Sequence, residues 1–295
     1  MPKVALKFGE SILVLDMWVA ILLFFLINFI IFFTIIYLTQ RSSRKKLKKV
    51  SIENEQIDDF YFRDIPFKDL ETAFYVSTYY GITDNLSNFI GAMLLKWICE
   101  DKIDVYEIED KTFIDMRKIF KTEIGFESAI YVRLLACANA NRILEENEFK
   151  KFFQDSEQII NSLFYKLKKE VEEELLLQGL ITKKTNEYGY EEIIPTKALE
   201  QKATELQGLK NFLNNFSSIE KKDAIQVHLW DDYLIYAQLF GIADKVENEF
   251  KKIYPDYNNL IKIDIAKVAI VNSLAISLRL TIRAFISILS SSNKD

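Results

Sequence analysis

Residues 17–38 read MWVAILLFFLINFIIFFTIIYL, a run without a charge in which Asn28 is the one strongly polar side chain. A helix needs about 20 apolar residues to cross a hydrocarbon core of about 30 Å. Inside that core a helix can satisfy its own backbone hydrogen bonds, which an irregular segment cannot. Trp18 and Tyr37 lie near the two ends, where amphipathic rings favour the membrane–water boundary. Arg41, Arg44, Lys45, Lys46, Lys48 and Lys49 follow at once, whereas the preceding flank sets Lys3 and Lys7 against Glu10 and Asp16. The charge bias predicts a transmembrane helix over 17–38 with residues 41 onward in the cytoplasm. Anionic lipid headgroups near 41–49 are the expected partners of the basic cluster. The run exceeds the ~7–15-residue core of a cleaved signal peptide, so an uncleaved anchor is expected.

The rest of the chain has the composition of folded protein. Of the 295 residues of the full chain 27% are charged and 14% aromatic, with 8 glycines and 4 prolines. A net charge of −5 gives the chain no general attraction to nucleic acid. Cys99 and Cys137 are far apart in apolar helical stretches and form no Cys-x-x-Cys pair, so reduced, buried cysteines are expected.

The spacing of apolar residues divides the chain further. Residues 1–16 are a short outer segment, with a helix expected from Ser11. Residues 39–60 form a linker, first basic and then acidic. From Pro66 and Asp69 a helix runs to Gly81, and Thr83 or Asp84 is placed to cap a second one. In that second helix Leu86, Phe89, Ile90, Met93, Leu94 and Trp97 recur at three- and four-residue steps. A hairpin is predicted around Glu109–Lys111. Helices over 128–141, 145–153 and 156–178 come next, and then a hairpin about 186–189. Helix, helix, helix, hairpin is the winged-helix order. The expected architecture is mainly α with short β-hairpins: the transmembrane helix, winged-helix-like units over 61–126 and 127–195, a closing helical pair over 196–260, and a final helix over 261–290. The pair comprises a helix from Thr196 to Phe216, whose Gly208 marks a close helix–helix approach, and one long helix over 227–253. Arg279 and Arg283 argue that 263–289 lies on the inner leaflet or packs on the domain; a second span is the alternative.

Leu229–Val246, LWDDYLIYAQLFGIADKV, resembles the pattern near the end of the YciQ-like family of predicted bacterial membrane proteins. Phe62–Pro66, Leu86–Glu109 and Gly208–Glu220 are similar to other parts of its cytoplasmic region. The resemblance implies membrane attachment and a position, and no activity. Members of that family commonly carry a large outer domain; this chain has 16 residues before the run, so no outer-domain role is carried over.

Trp230, Tyr233, Tyr236 and Phe240 form an aromatic stripe that serves either as core or as a partner-binding face, and helical spacing favours core. Asp231 and Asp232 are adjacent and so point apart, which suits a solvated helix edge. His228 is the single histidine and no nucleophile accompanies it. No phosphate-cradling glycine loop and no metal motif is present. No catalytic residue, cofactor or metal is therefore assigned. The expectation is a membrane-anchored protein without enzymatic activity that carries a cytoplasmic protein-interaction module. The alternative is a membrane-tethered winged-helix transcriptional regulator. The helix over 156–178 has Lys166, Lys168 and Lys169 but also Glu157, Glu170, Glu172, Glu173 and Glu174, which disfavours docking against phosphates.

Overall fold

The computed structural model describes residues 3–8, 11–16, 22, 60–83, 85–116, 125–185, 191–215, 229–253 and 262–279. Two compact units divide the chain, residues 1–55 and 56–295. The basic cluster 41–49 and His228 lie outside the described residues, as does the run 17–38 except for Leu22. Among the described residues no helix is long and apolar enough to cross a membrane.

In the first unit β1 (Lys3–Phe8) pairs antiparallel with β2 (Ser11–Asp16), from Lys3 opposite Asp16 to Phe8 opposite Ser11. The helix expected from Ser11 is thus a strand. β-Branched Ile12 and Val14 favour extended backbone, and only Gly9 and Glu10 separate the strands, a length that suits a tight hairpin.

In the second unit Asp69 caps α1 (Leu70–Tyr79), its carboxylate accepting from the Thr72 N–H at 2.7 Å and the Thr72 hydroxyl at 2.6 Å. Gly81, at φ +69°, supplies the left-handed residue beyond the helix end. The next cap is Asn85 rather than Thr83 or Asp84: its side-chain oxygen accepts from the N–H groups of Ser87 (3.0 Å) and Asn88 (3.3 Å), and so starts α2 (Leu86–Cys99). β3 (Asp104–Ile108) and β4 (Lys111–Asp115) form the expected hairpin. After α3 (Phe126–Cys137) comes β5 (Ile143–Glu145), which pairs with β4 to give the sheet order β3-β4-β5. Helices α4 (Glu146–Asp155) and α5 (Glu157–Leu177) lead into a hairpin of β6 (Ile181–Thr185) and β7 (Glu191–Pro195). Helix α6 (Lys197–Asn214) closes this part.

The segment predicted as one helix over 227–253 is two, α7 (Trp230–Phe240) and α8 (Ala243–Ile253). Gly241 at φ +72° breaks it, with Asn88 of α2 packed against the place a Cβ would occupy. The last described helix is α9 (Ile265–Arg279). It buries Val268, Val271, Leu274, Ala275 and Leu278, and Asn272 bonds Asp244 of α8 at 2.7 Å. Residues 280–289 of the segment 263–289 lie outside the described residues.

Helix α2 is the central element. A helix that is apolar on all sides must be covered on all sides. Phe89, Ile90, Met93, Leu94 and Trp97 are all buried, with α7 and α9 packed on α2. Phe74 of α1 stacks on Phe89 at 4.3 Å between centroids, while Phe126 of α3 meets Phe164 of α5 at 4.7 Å. One apolar core therefore runs through both segments expected to form separate winged-helix-like units, and β5 of the second completes the sheet of the first.

Gly91 lets α2, α7 and α9 approach. A Cβ there would lie 2.8 Å from the Gln238 side-chain nitrogen and 3.1 Å from the Ala275 Cβ. Gln238 is 0% exposed, and among the described residues neither its Nε2 nor its Oε1 meets a hydrogen-bond partner. An unpaired buried amide costs about 1–3 kcal/mol. Gln238→Met keeps the volume and removes the polar atoms, so it should raise stability by about 1–2 kcal/mol. Thermal unfolding should then shift upward by about 2–4 °C for each kcal/mol.

Candidate functional site

Residues 60–69 form neither helix nor strand. They lie along α6 and α7, and side chains of those helices donate to their main-chain carbonyls. Asn211 reaches the Phe60 oxygen at 3.2 Å, Tyr233 the Arg63 oxygen at 2.7 Å, Lys202 the Pro66 oxygen at 3.1 Å, and the Tyr236 hydroxyl the Phe67 oxygen. The Arg63 guanidinium lies 5.5 Å from the Phe212 ring centroid, and Lys202 Nζ lies 5.3 Å from that of Phe67. Gly208 forms a notch in α6. A Cβ there would sit 2.6 Å from the Phe60 ring and 2.9 Å from the Phe62 Cβ. The close approach read from Gly208 is real, but its partner is this extended segment and not another helix.

The aromatic stripe of α7 is core. Trp230, Tyr233, Tyr236 and Phe240 are 0%, 1%, 3% and 6% exposed. Their rings pack on Phe250 of α8 (Trp230, 5.1 Å) and Phe212 of α6 (Tyr233, 5.6 Å), and Tyr236 and Phe240 lie against each other at 5.9 Å. The two tyrosine hydroxyls are the tips that hold residues 60–67. Burial, with the carboxylate of Asp64 nearby, pushes the Tyr233 phenol up to about 12, and burial raises Tyr236 further, so both remain donors at neutral pH. Asp231 is half-buried. Its Oδ1 accepts from the N–H groups of Lys262 and Ile263, both at 3.0 Å, and so ties the approach to α9 onto α7.

A second cluster gathers charge at three helix ends. Glu127 in the first turn of α3 accepts from Lys96 Nζ and the Trp97 indole of α2, both at 2.5 Å, and from Lys102 at 3.3 Å. Acidic groups at a helix start and basic groups near a helix end both suit the helix dipole. Burial works against the Glu127 carboxylate, but the Lys96 hydrogen bond and charge outweigh it and hold its pKa below the usual glutamate value. Nearby, burial lifts Glu71 from its ordinary 4.5 to about 8, helped by its hydrogen bond with Asp69 and by that neighbour's charge. Burial also opposes the Asp69 carboxylate, yet bonds from Glu71 and Thr72 keep its pKa low. At neutral pH the pair therefore shares one proton.

The sign of the pH effect follows. Glu71 binds its proton more tightly folded than unfolded, so stability falls as pH rises from about 4.5 to about 8. Glu71→Gln mimics the protonated form. It should flatten that decline, leaving the variant the more stable chain at pH 9 and close to the parent at pH 5, as measured by urea unfolding across pH. Among the described residues no group of His, Cys, Asp or Glu is arranged to hold a metal ion.

The sequence pointed to Gly208 and the tyrosines singly, without showing that they converge on residues 60–67. Lys202, Asn211 and the Glu127 network carry no local signature, because their partners are 25 to 151 positions away.

The C-terminal domain of a predicted membrane protein family, DUF2207, matches residues 190–250. That stretch takes in β7, α6, α7 and most of α8, and so includes both helices that hold residues 60–67. The match supports a membrane protein of a family without assigned function, and hence a membrane location. No curated protein and no solved structure matches the chain.

Proposed function

We propose that this is a membrane-anchored protein, held by residues 17–38, whose cytoplasmic body from residue 60 onward is a protein-interaction module without a catalytic step. The observation that carries the reading is the seating of residues 60–67, which follow the basic linker, on the part of the chain that matches the membrane protein domain. The uncharged run and the cations at 41–49 support the orientation. The pattern at Leu229–Val246 supports a YciQ-like affiliation.

The succession α3, β5, α4, α5, β6, β7 supports a winged-helix-like reading of 127–195. Charge pairing favours protein over DNA as its partner. Lys166 lies 3.5 Å from Glu170, Lys168 lies 3.9 Å from Glu172, and in the hairpin Lys183 lies 3.0 Å from Glu191. Lysines matched in this way gain little from counterion release. A reporter fused to the carboxyl terminus should respond only from inside intact cells, and the chain should sediment with membranes. Crosslinking in membranes should capture a protein. Gel shifts across salt should show no steep, tight DNA binding; a steep slope would move the reading to the tethered regulator.

A further inference from the structure

We propose that the α6–α7 face is a docking site for an extended aromatic peptide, and that its occupant is this chain's own segment 60–67, bound in releasable form. The proposal rests on the membrane-anchored reading and names the ligand of the interaction module.

Side chains of Asn211, Tyr233, Lys202 and Tyr236 donate to main-chain carbonyls of the segment, so its backbone is recognised along its length. Backbone recognition combined with a pocket for alternate side chains is how extended peptides are bound in many complexes. The pocket is the Gly208 notch, filled by Phe60 and Phe62, which alternate about Tyr61. Tyr61 points elsewhere, its hydroxyl accepting from Asn215 at 3.3 Å.

Burial rises along the segment. Phe60 and Tyr61, at the end that leads to the linker, are 38% and 43% exposed, whereas Pro66 and Phe67 are buried beside the start of α1. No strand ladder or helix ties 60–63 down. Release can therefore begin at Phe60 and stop at Pro66 while α1 stays in place. Opening of this kind, with few buried contacts and no regular backbone bonding, belongs to the least stable part of a fold.

The test uses the full chain in lipid nanodiscs and a fluorescent synthetic peptide with the sequence of residues 58–68. In the parent chain the tethered segment competes at high effective concentration, so the peptide binds weakly. Phe60→Ser with Phe62→Ser weakens the tethered competitor, and peptide affinity should rise at least tenfold. Adding Gly208→Val to that variant fills the notch and should cancel the rise. Chymotrypsin supplies an independent readout. Cleavage within 60–62 should be slow in the parent and at least tenfold faster after Phe60→Ser, a change that lies outside every helix, with the remaining sites still protected. Equal peptide binding by parent and double variant would overturn the proposal, as would indifference to Gly208→Val or unchanged cleavage after Phe60→Ser. Recovery of the chain as soluble material would overturn the anchor instead, and the peptide comparison would still read the docking site.

Discussion

Phe89→Ala should lower the stability of the folded body by about 3–5 kcal/mol, the usual cost of deleting a fully buried ring. Phe89 is 0% exposed, stacks on Phe74 at 4.3 Å and meets Phe126 and Phe164 at 5.8 and 6.2 Å. Its neighbours belong to α1, α3 and α5, so the cavity would open where four helices meet and could not collapse without moving several of them. Urea unfolding of the full chain in detergent should show the midpoint falling in proportion. Tyr165→Ala, on the exposed side of α5, should change it by less than about 0.5 kcal/mol. Similar losses at both sites would mean that the four-helix junction is not the centre of the fold.

Glu127→Ala should be the next most damaging change, at about 2–4 kcal/mol, because it leaves the Lys96 ammonium and the Trp97 indole N–H without their shared acceptor. Glu127→Gln retains an oxygen for the indole and should lose less. The pH profile gives a second check. A carboxylate whose folded pKa is depressed contributes stability above its ordinary value and loses it as pH falls through the folded one. Lys96 has its folded pKa raised, since Glu127 outweighs the opposing effect of burial, so its share is lost only above the ordinary lysine range. The parent should therefore lose stability more steeply than Glu127→Ala below about pH 4.5 and again above about pH 10.5. Parallel profiles would show that the cluster is not an ionic network in solution.

What the sequence made legible is what is local. Helix periodicity located α2 to within a residue or two, Asp69 and Gly81 marked the ends of α1, and Gly179, at φ +67°, marked the end of α5. The misses have two physical sources. Some are choices between nearly equivalent local groups. Asn85 took the cap of α2 although Thr83 and Asp84 carry the same chemistry, and Gly241 broke a run whose apolar spacing would also have allowed one long helix. The others are decided by distant partners. Strand β5 is three residues long and exists because β4 offers an edge to it. The α7 stripe is buried, and its hydroxyl tips have partners about 170 positions earlier in the chain.

The covering of α2 has a consequence for how the protein is made. Helix α2 ends at Cys99 and its cover ends with α9 at Arg279, so 180 residues must be synthesised before its last face is closed. At about 5–20 residues per second the greasiest surface of the body stays open on the ribosome for roughly 10–40 s. Over that interval the nascent polypeptide exposes one strongly apolar helix, and any assistance from chaperones would be drawn to the first third of the chain.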